Sequence, residues 1–480
     1  MTLATDVRRE TAPEIRLDPG SFRDPSGGVI HCGGRILRYY NHHAAEGFHR
    51  LSAEGVLRDL EASGLIVGSQ PIEPRSDPAL YAAVSAETRA DVALIVEHPR
   101  VPFISYAYDW PFEMLRTAAV HQLDVLEVAL ERGYTVKDAT SYNLQFRGPE
   151  PVFIDVASLE PHVEGKPWAG YAQFCRMFLN PLLLQALRGV SYQPWLRHSV
   201  EGIDAATLSR LLGLKNKMRP GVFVHVVLQA WLNRRFSAGL TLQRAAARPV
   251  PMSATLGLVR GMRKLLVALN QRRDKTTWVD YEAHLPYAAE ARAAKERYVE
   301  EAVQAVQPAM LWDLGCNQGL YSTIAARHAG YVVAMDFDEA AVGGLYEKVR
   351  GSHDNVLPLV MDLMNPDPDQ GWAQSERRGL AARGPADFVL GLALVHHLSI
   401  SGNVPLRKFG EWLSAITHAG IVEFVPKSDP MVQRLLSTRP DVHTDYTAEA
   451  FESALSARFR IAERYPLPGS ERILYRFIGR

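Results

Sequence analysis

The feature that most constrains this chain is an alternation beginning at Met310, where short apolar runs are separated by helical patterns. That is the order a parallel sheet with crossover helices requires. Five strands are predicted there: Met310 to Leu314, Tyr331 to Asp336, Val356 to Asp362, Asp387 to Ala393 and Ile421 to Val425. Two further β-rich runs, Phe459 to Tyr465 and Ile473 to Ile478, flank a Pro-Leu-Pro-Gly-Ser turn and predict a closing hairpin. The pair would add one antiparallel strand to an otherwise parallel sheet. The expected fold class is α/β, a Rossmann-like seven-stranded domain at the C-terminus.

The first of these strands runs into Asp313-Leu314-Gly315-Cys316-Asn317-Gln318-Gly319, followed by a helical pattern from Leu320 to His328. Glycines let backbone approach a ligand closely, and the next helix N-terminus offers free N–H groups. The second strand ends in Asp336, 23 residues after Asp313, close to the ~20-residue spacing at which a carboxylate meets ribose hydroxyls. The third ends in Asp362. Ligands of open α/β sheets bind outside the carboxyl ends of the strands, so all three acids are expected at one crevice.

This arrangement resembles the class I S-adenosylmethionine-dependent methyltransferases, whose first motif reads D-x-G-x-G-x-G. The resemblance implies S-adenosyl-L-methionine as cofactor. Asp313, Gly315 and Gly319 would hold its methionine part, Asp336 the ribose hydroxyls and Asp362 the adenine amino group. Asn317 departs from the family glycine, but Asn is the side chain most at ease in left-handed backbone, so it stays in the cofactor set. The run lacks the Gly-Lys-Ser/Thr of a nucleotide P-loop, and a dehydrogenase-type dinucleotide site is the alternative. No metal is expected in this domain.

Methyl transfer needs an aligned acceptor, and an oxygen or nitrogen acceptor can also need a base. His396 and His397 follow the fourth strand and are the candidate catalytic residues; packing against the cofactor is the competing role. Glu423, Lys427 and Asp429 are further polar groups near that rim. Trp278, Tyr281 and Tyr287, just ahead of the domain, are candidates for an aromatic cap.

At 480 residues the chain predicts two or three domains. Its first half reads as α+β: a β-rich opening (Gly28 to Tyr40, Leu94 to Tyr106), then mainly helical sequence from Ala118 to about Phe236, with a buried helix over Thr117 to Leu130. Lys137-Asp138-Ala139-Thr140-Ser141-Tyr142-Asn143, then Phe153-Ile154-Asp155, resemble the catalytic and metal-binding segments of the protein-kinase and aminoglycoside-phosphotransferase fold. Asp138 matches the catalytic Asp, and Asn143 and Asp155 match the metal ligands. The resemblance implies a site for ATP and Mg. Lys137 replaces the family Arg, Val156-Ala157 replaces Phe-Gly, and Gly33-Gly34-Arg35-Ile36-Leu37-Arg38 is a poor phosphate loop. A substrate-recognition domain, an active phosphotransferase and a hairpin with turn-forming Asp and Asn therefore remain alternatives.

The segments Pro102 to Phe112 and Glu423 to Lys427, with the features above, resemble a bacterial family of two-domain methyltransferases related to a nodulation protein. The expected domains are 1–245 (kinase-like, α+β), 246–300 (helical linker and cofactor cap) and 301–480 (methyltransferase). The expected activity is methylation of a hydroxyl or amine of a small molecule or saccharide recognised by the N-terminal domain. The alternatives are a bifunctional kinase-methyltransferase and a cofactor-binding scaffold without turnover. Charge is balanced at 53 basic and 53 acidic residues, so it points to no partner. Arg234 to Lys275 holds ten Lys or Arg and one acid, read as a solvated linker, and nucleic acid is not an expected partner. Three separated cysteines fit a reducing cytoplasm, and no apolar run reaches the ~20 residues of a membrane span.

Overall fold

A computed structural model describes residues 14–237, 249–271, 289–437 and 440–480. The candidate cap residues Trp278, Tyr281 and Tyr287 lie outside the described residues, as does part of the basic stretch.

The N-terminal part opens with a five-stranded antiparallel sheet in the order β1-β2-β3-β5-β4. Its strands are β1 (Ile15–Leu17), β2 (Gly27–Cys32), β3 (Arg35–Tyr40), β4 (Gln70–Ile72) and β5 (Leu94–His98). Gly33 and Gly34, at φ of 54° and 87°, close the tight β2–β3 turn that left-handed backbone demands. β5 stops at His98, well short of the predicted Tyr106, because Pro99 and Pro102 cannot donate to a ladder. Helices α1 (His42–Ala53) and α2 (Val56–Ala62) connect β3 to β4.

The long helix α3 (Phe112–Glu131) is the buried spine of this half, with Leu115, Leu123, Leu126 and Leu130 fully buried. It extends five residues upstream of the predicted start. The predicted helical stretch after it is interrupted by two small two-stranded sheets: β6 (Tyr134–Val136) pairs with β9 (Leu159–Pro161), and between them β7 (Leu144–Arg147) with β8 (Glu150–Phe153). Helices dominate only from Tyr171 on. The later helix α4 (Met252–Val267) packs on α3 through Val259 and Met262 and is anchored by Arg116 donating to the Leu269 carbonyl at 2.7 Å.

The C-terminal part follows α5 (Ala289–Val306). Its strands β10 (Met310–Leu314), β11 (Tyr331–Asp336), β12 (Val356–Val360), β13 (Phe388–Gly391), β14 (Ala419–Phe424), β15 (Phe459–Pro466) and β16 (Ile473–Gly479) form one sheet. The order is β12-β11-β10-β13-β14-β16-β15, with β16 antiparallel to both its neighbours and every other pairing parallel. This seven-stranded order is that of the class I methyltransferases. Helices α6 (Leu320–Ala325) and α7 (Glu339–Val349) are the first two crossovers.

The two parts share a continuous core: Phe103 meets Trp312 edge-on at 5.7 Å, and Phe146 meets Tyr346 at 6.4 Å. Buried charges cross the same boundary. Arg383 lies between Asp109 (2.6 Å) and Asp367 (3.1 Å), and Glu339 accepts from the Phe112 amide and the Gln185 side chain. Among the described residues no helix is long and apolar enough to cross a membrane, and all three cysteines are buried and free.

Candidate functional site

The turn after β10 has the backbone its sequence demands. Gly315, Asn317 and Gly319 all take positive φ (81°, 50° and 75°), a conformation costly to side chains other than Gly and Asn. Gly319 has a second constraint, since a Cβ there would stand 2.3 Å from Leu345 of α7. The turn is tied to β11 by the Gly315 and Cys316 amides, which donate to the Met335 carbonyl at 2.8 and 2.9 Å.

Asp336, at the end of β11, is 8% exposed and holds two backbone amides: Asn317 N donates to one carboxylate oxygen at 2.8 Å and Asp338 N to the other at 2.9 Å. The Phe337 amide also interacts with this carboxylate, and of its four or so acceptor positions one remains for a ligand hydroxyl. Burial raises its pKa, while those amide hydrogen bonds oppose the shift. Phe337, the next residue, is 58% exposed and extends an aromatic face beside the turn. Sequence reading missed it, although an apolar residue directly after a strand-end acid is the signal that could have found it.

Asp313 lies beneath the turn instead of at its rim. It is 2% exposed and accepts a 2.6 Å hydrogen bond from Ser322 of α6. Burial pushes its carboxyl up to about 7, against the Ser322 hydrogen bond and with the negative field of Asp336. Asp362 is exposed on the loop after β12, where its side chain accepts from the Met364 amide at 2.9 Å. The Met361 amide donates to the Asp336 carbonyl at 2.8 Å and sets the ends of β11 and β12 side by side. Asp313 and Asp336 thus share the turn from below and from its rim, with Asp362 at the solvent side.

Beyond β13 the chain turns through Ala393 at φ 50° into His396 and His397, whose rings lie 4.2 Å apart. His396 is fully buried, with neither ring nitrogen hydrogen-bonded; His397 is half-buried. Burial lowers both pKa values, His396 further by the neighbouring His397, and His397 to about 4 with help from the Arg472 charge. Both rings are neutral at pH 7.

Glu423, on β14, organises this corner. It is fully buried, accepts from Lys295 of α5 at 2.6 Å and from the Ala393 amide at 2.7 Å, and lies 3.4 Å from Arg472. Lys295 also sits 4.8 Å from the ring centre of Tyr321 on α6, so one cation links the cofactor turn to the histidine loop. Burial alone would raise the Glu423 pKa, but Lys295 and Arg472 outweigh it and hold the carboxylate ionised. Neither Lys295 nor Arg472 was singled out from sequence. The other two rim candidates are occupied elsewhere: Lys427 pairs with Asp441 at 2.7 Å, and Asp429 caps the helix Pro430–Leu436 and binds Arg472 at 2.8 Å.

In the N-terminal part, Asp138, Asn143 and Asp155 gather at the β6–β8 corner. Asn143 donates to the Asp138 carbonyl at 3.0 Å, and its own carbonyl accepts from the Ile154 amide at 2.9 Å. Arg38 of β3, which sequence reading placed only in a poor phosphate loop, reaches Asp155 at 3.0 Å and also pairs with Asp24. Burial raises the Asp155 pKa; Arg38 opposes this, and Asp24 and Asp138 add to it. Among the described residues no group of three or more His, Cys, Asp or Glu side chains is disposed to hold a metal ion.

A surface cavity of about 630 Å³, lined by Arg100, Arg147, Tyr331 and His353, lies at the amino end of β11. It is at the wrong end of the sheet for a Rossmann-type ligand, and the carboxyl ends of β10, β11 and β12 are the candidate site.

No family model matches the chain. The nodulation protein NoeA of Rhizobium meliloti (strain 1021) is 37% identical to it over 470 residues, covering 97% of each chain. The chain belongs to the NoeA family. Among solved structures, the chain is similar to the N-methyltransferase NodS from Bradyrhizobium japonicum WM9, with a TM-score of 0.30 at 12% identity over 40% of this chain and 97% of that one. The magnesium protoporphyrin IX methyltransferase ChlM from Synechocystis PCC 6803, with bound SAH, scores 0.30 at 16% identity over 43% and 90%. The bifunctional kinase-methyltransferase WbdD scores 0.29 at 18% identity over 42% and 41%. Scores this low leave the fold of this NoeA-family chain resting on its own strand order.

Proposed function

We propose that this NoeA-family chain binds S-adenosyl-L-methionine in the crevice at the carboxyl ends of β10, β11 and β12 and methylates a hydroxyl or amine of a small molecule or saccharide. The observation that carries the reading is Asp336, a buried strand-end carboxylate that clamps the left-handed Asn317 turn and keeps an acceptor position for a ribose hydroxyl. When bound, the cofactor supplies a methyl group on a sulfonium centre. The residues around it have distinct roles: Gly315 and Gly319 give backbone access, Asp313 braces the turn through Ser322, and Asp362 faces the adenine edge with Phe337 beside it. His397, half-buried and neutral, takes a proton from the acceptor, and His396 packs behind it.

The N-terminal part, with Asp138, Asn143, Asp155 and Arg38 at one corner, is read as a kinase-like domain that recognises the acceptor. The bifunctional alternative, with ATP and Mg at that corner, rests on the match of Asp138, Asn143 and Asp155, and there Arg38 of β3 would have to release Asp155 to a metal. The domains are read as 1–245, 246–300 and 301–480, and the protein as cytoplasmic.

Calorimetry with S-adenosyl-L-methionine on wild type and Asp336→Ala tests the cofactor site; equal affinity of the two would refute the ribose assignment. Radiolabelled methyl transfer over a panel of saccharides and amines then tests turnover. Tight cofactor binding without product on any acceptor would favour the scaffold. ATP turnover lost on Asp155→Ala would establish the bifunctional reading.

A further inference from the structure

We infer that the helical surface from Leu211 to Arg234 in the N-terminal part docks on an anionic lipid bilayer. No Asp or Glu stands between Asp204 and Asp274, in a chain that as a whole balances 53 basic with 53 acidic residues. The same region is where apolar side chains reach solvent. Of the twenty exposed large hydrophobic side chains among the described residues, eight fall between Leu211 and Leu232. Leu214 is 76% exposed and Met218 is 73% exposed, values far from those of core residues.

These side chains are arranged, not scattered. On the helical run 220–237, Val224, Leu228 and Trp231 follow i, i+4, i+7 spacing and form one exposed stripe. Val222, Val226 and Ala230 on the opposite face are buried. Phe223, which opens the π-helical segment Phe223–Leu228, is 50% exposed beside this stripe. Leu211 ends the preceding helix (Ala205–Leu211), and Leu214 and Met218 open and follow the short helix Leu214–Lys217; both helices pack against this run. Gly221 lies against Leu265, bringing the end of α4 with exposed Val267 alongside.

Cations interleave with the stripe. Lys215, Lys217 and Arg219 are paired with no described acid, whereas Arg260 and Arg263 on α4 spend their charge on Glu127 and Asp124. A surface of Leu, Met, Phe and Trp set among unpaired Lys and Arg matches the bilayer interface, where apolar groups enter the acyl boundary and cations meet anionic headgroups. Nucleic acid supplies the negative charge but nothing to cover Leu214 and Met218. The occupant is therefore lipid, and none of these residues belongs to the cofactor crevice.

The test is co-sedimentation of the full chain with phosphatidylcholine vesicles with and without phosphatidylglycerol. Binding is expected only to the anionic vesicles and to fall with salt. Leu214→Ser/Met218→Ser should bind at least tenfold more weakly, because each side chain loses its transfer into the interface. Lys215→Gln/Lys217→Gln should lose about fivefold per charge. All four positions are partly or fully exposed, so thermal unfolding should match wild type. Equal binding to both vesicle types, binding to neither, or full binding by the serine variant would overturn the inference. So would a wild type that self-associates and is dispersed by the serine variant, which would place a second copy on this face.

Discussion

Replacing Glu423 with Gln removes one negative charge and almost no volume. Glu423 is the meeting point of two buried cations and one strained amide: Lys295 at 2.6 Å, Arg472 at 3.4 Å and the amide of Ala393 at 2.7 Å. Arg472 keeps Asp429 at 2.8 Å after the substitution, so the cation left uncompensated is Lys295, 2% exposed, with the Tyr321 ring centre 4.8 Å away. Breaking a buried pair by removing one partner costs about 3–5 kcal/mol. Because the amide oxygen of Gln can still accept one of the former hydrogen bonds, the lower end, about 3 kcal/mol, is expected. The sign with pH follows from the lowered pKa of Glu423. Its stabilisation is fully present above the unfolded-state value of about 4.3 and is lost as pH falls through the lower folded-state value. Urea unfolding of wild type and Glu423→Gln at pH 7 and at pH 3 measures both effects. A variant as stable as wild type at pH 7, or a deficit that does not shrink at pH 3, would refute the assignment of Glu423 as an ionised clamp. The double substitution Lys295→Met/Glu423→Leu should recover much of the loss, since an apolar pair of similar volume leaves no buried charge.

Asp336→Ala should weaken S-adenosyl-L-methionine binding by about a hundredfold, read by calorimetry, because it removes two charge-assisted hydrogen bonds to the turn together with the diol acceptor. His397→Ala should lower kcat by about 10²–10⁴ while leaving cofactor affinity within a few-fold, and a kcat unchanged on every accepted substrate would end its role as base. With His397 held at about 4, the acid limb of the kcat/KM profile should fall near that value; a limb at 6.5 would show that the ring is not desolvated in the working enzyme. Arg383→Met should cost about 3–5 kcal/mol, since Asp109 and Asp367 are then left facing each other across the boundary between the two parts.

The C-terminal strands were legible in the sequence to within two residues at most ends, because a buried parallel strand needs a continuous apolar run and a breaker on each side. β10 and β11 begin and end where predicted, while β12 stops at Val360, two residues before Asp362, which turns outward into the loop. The glycine turn was legible because left-handed backbone leaves a compositional mark: Gly315, Asn317 and Gly319 are the residues that tolerate it. The N-terminal strand pairs β6–β9 and β7–β8 were not, since strands of three or four residues carry too little periodicity to separate from helix.

Sequence by itself determined the alternation, the turn and the acids at strand ends, all of them local consequences of steric and hydrophobic patterning. Only the tertiary structure decided what each acid is bonded to: Asp313 and Asp336 carry the same side chain, yet one is sealed against Ser322 and the other holds the Asn317 and Asp338 amides. It also decided that Lys295, Arg472 and Arg38 matter, because each meets its carboxylate across 49 to 128 residues of chain or, for Arg38, from a strand of another sheet. Coulomb attraction depends on distance in space and on burial, and neither quantity is written in the order of residues.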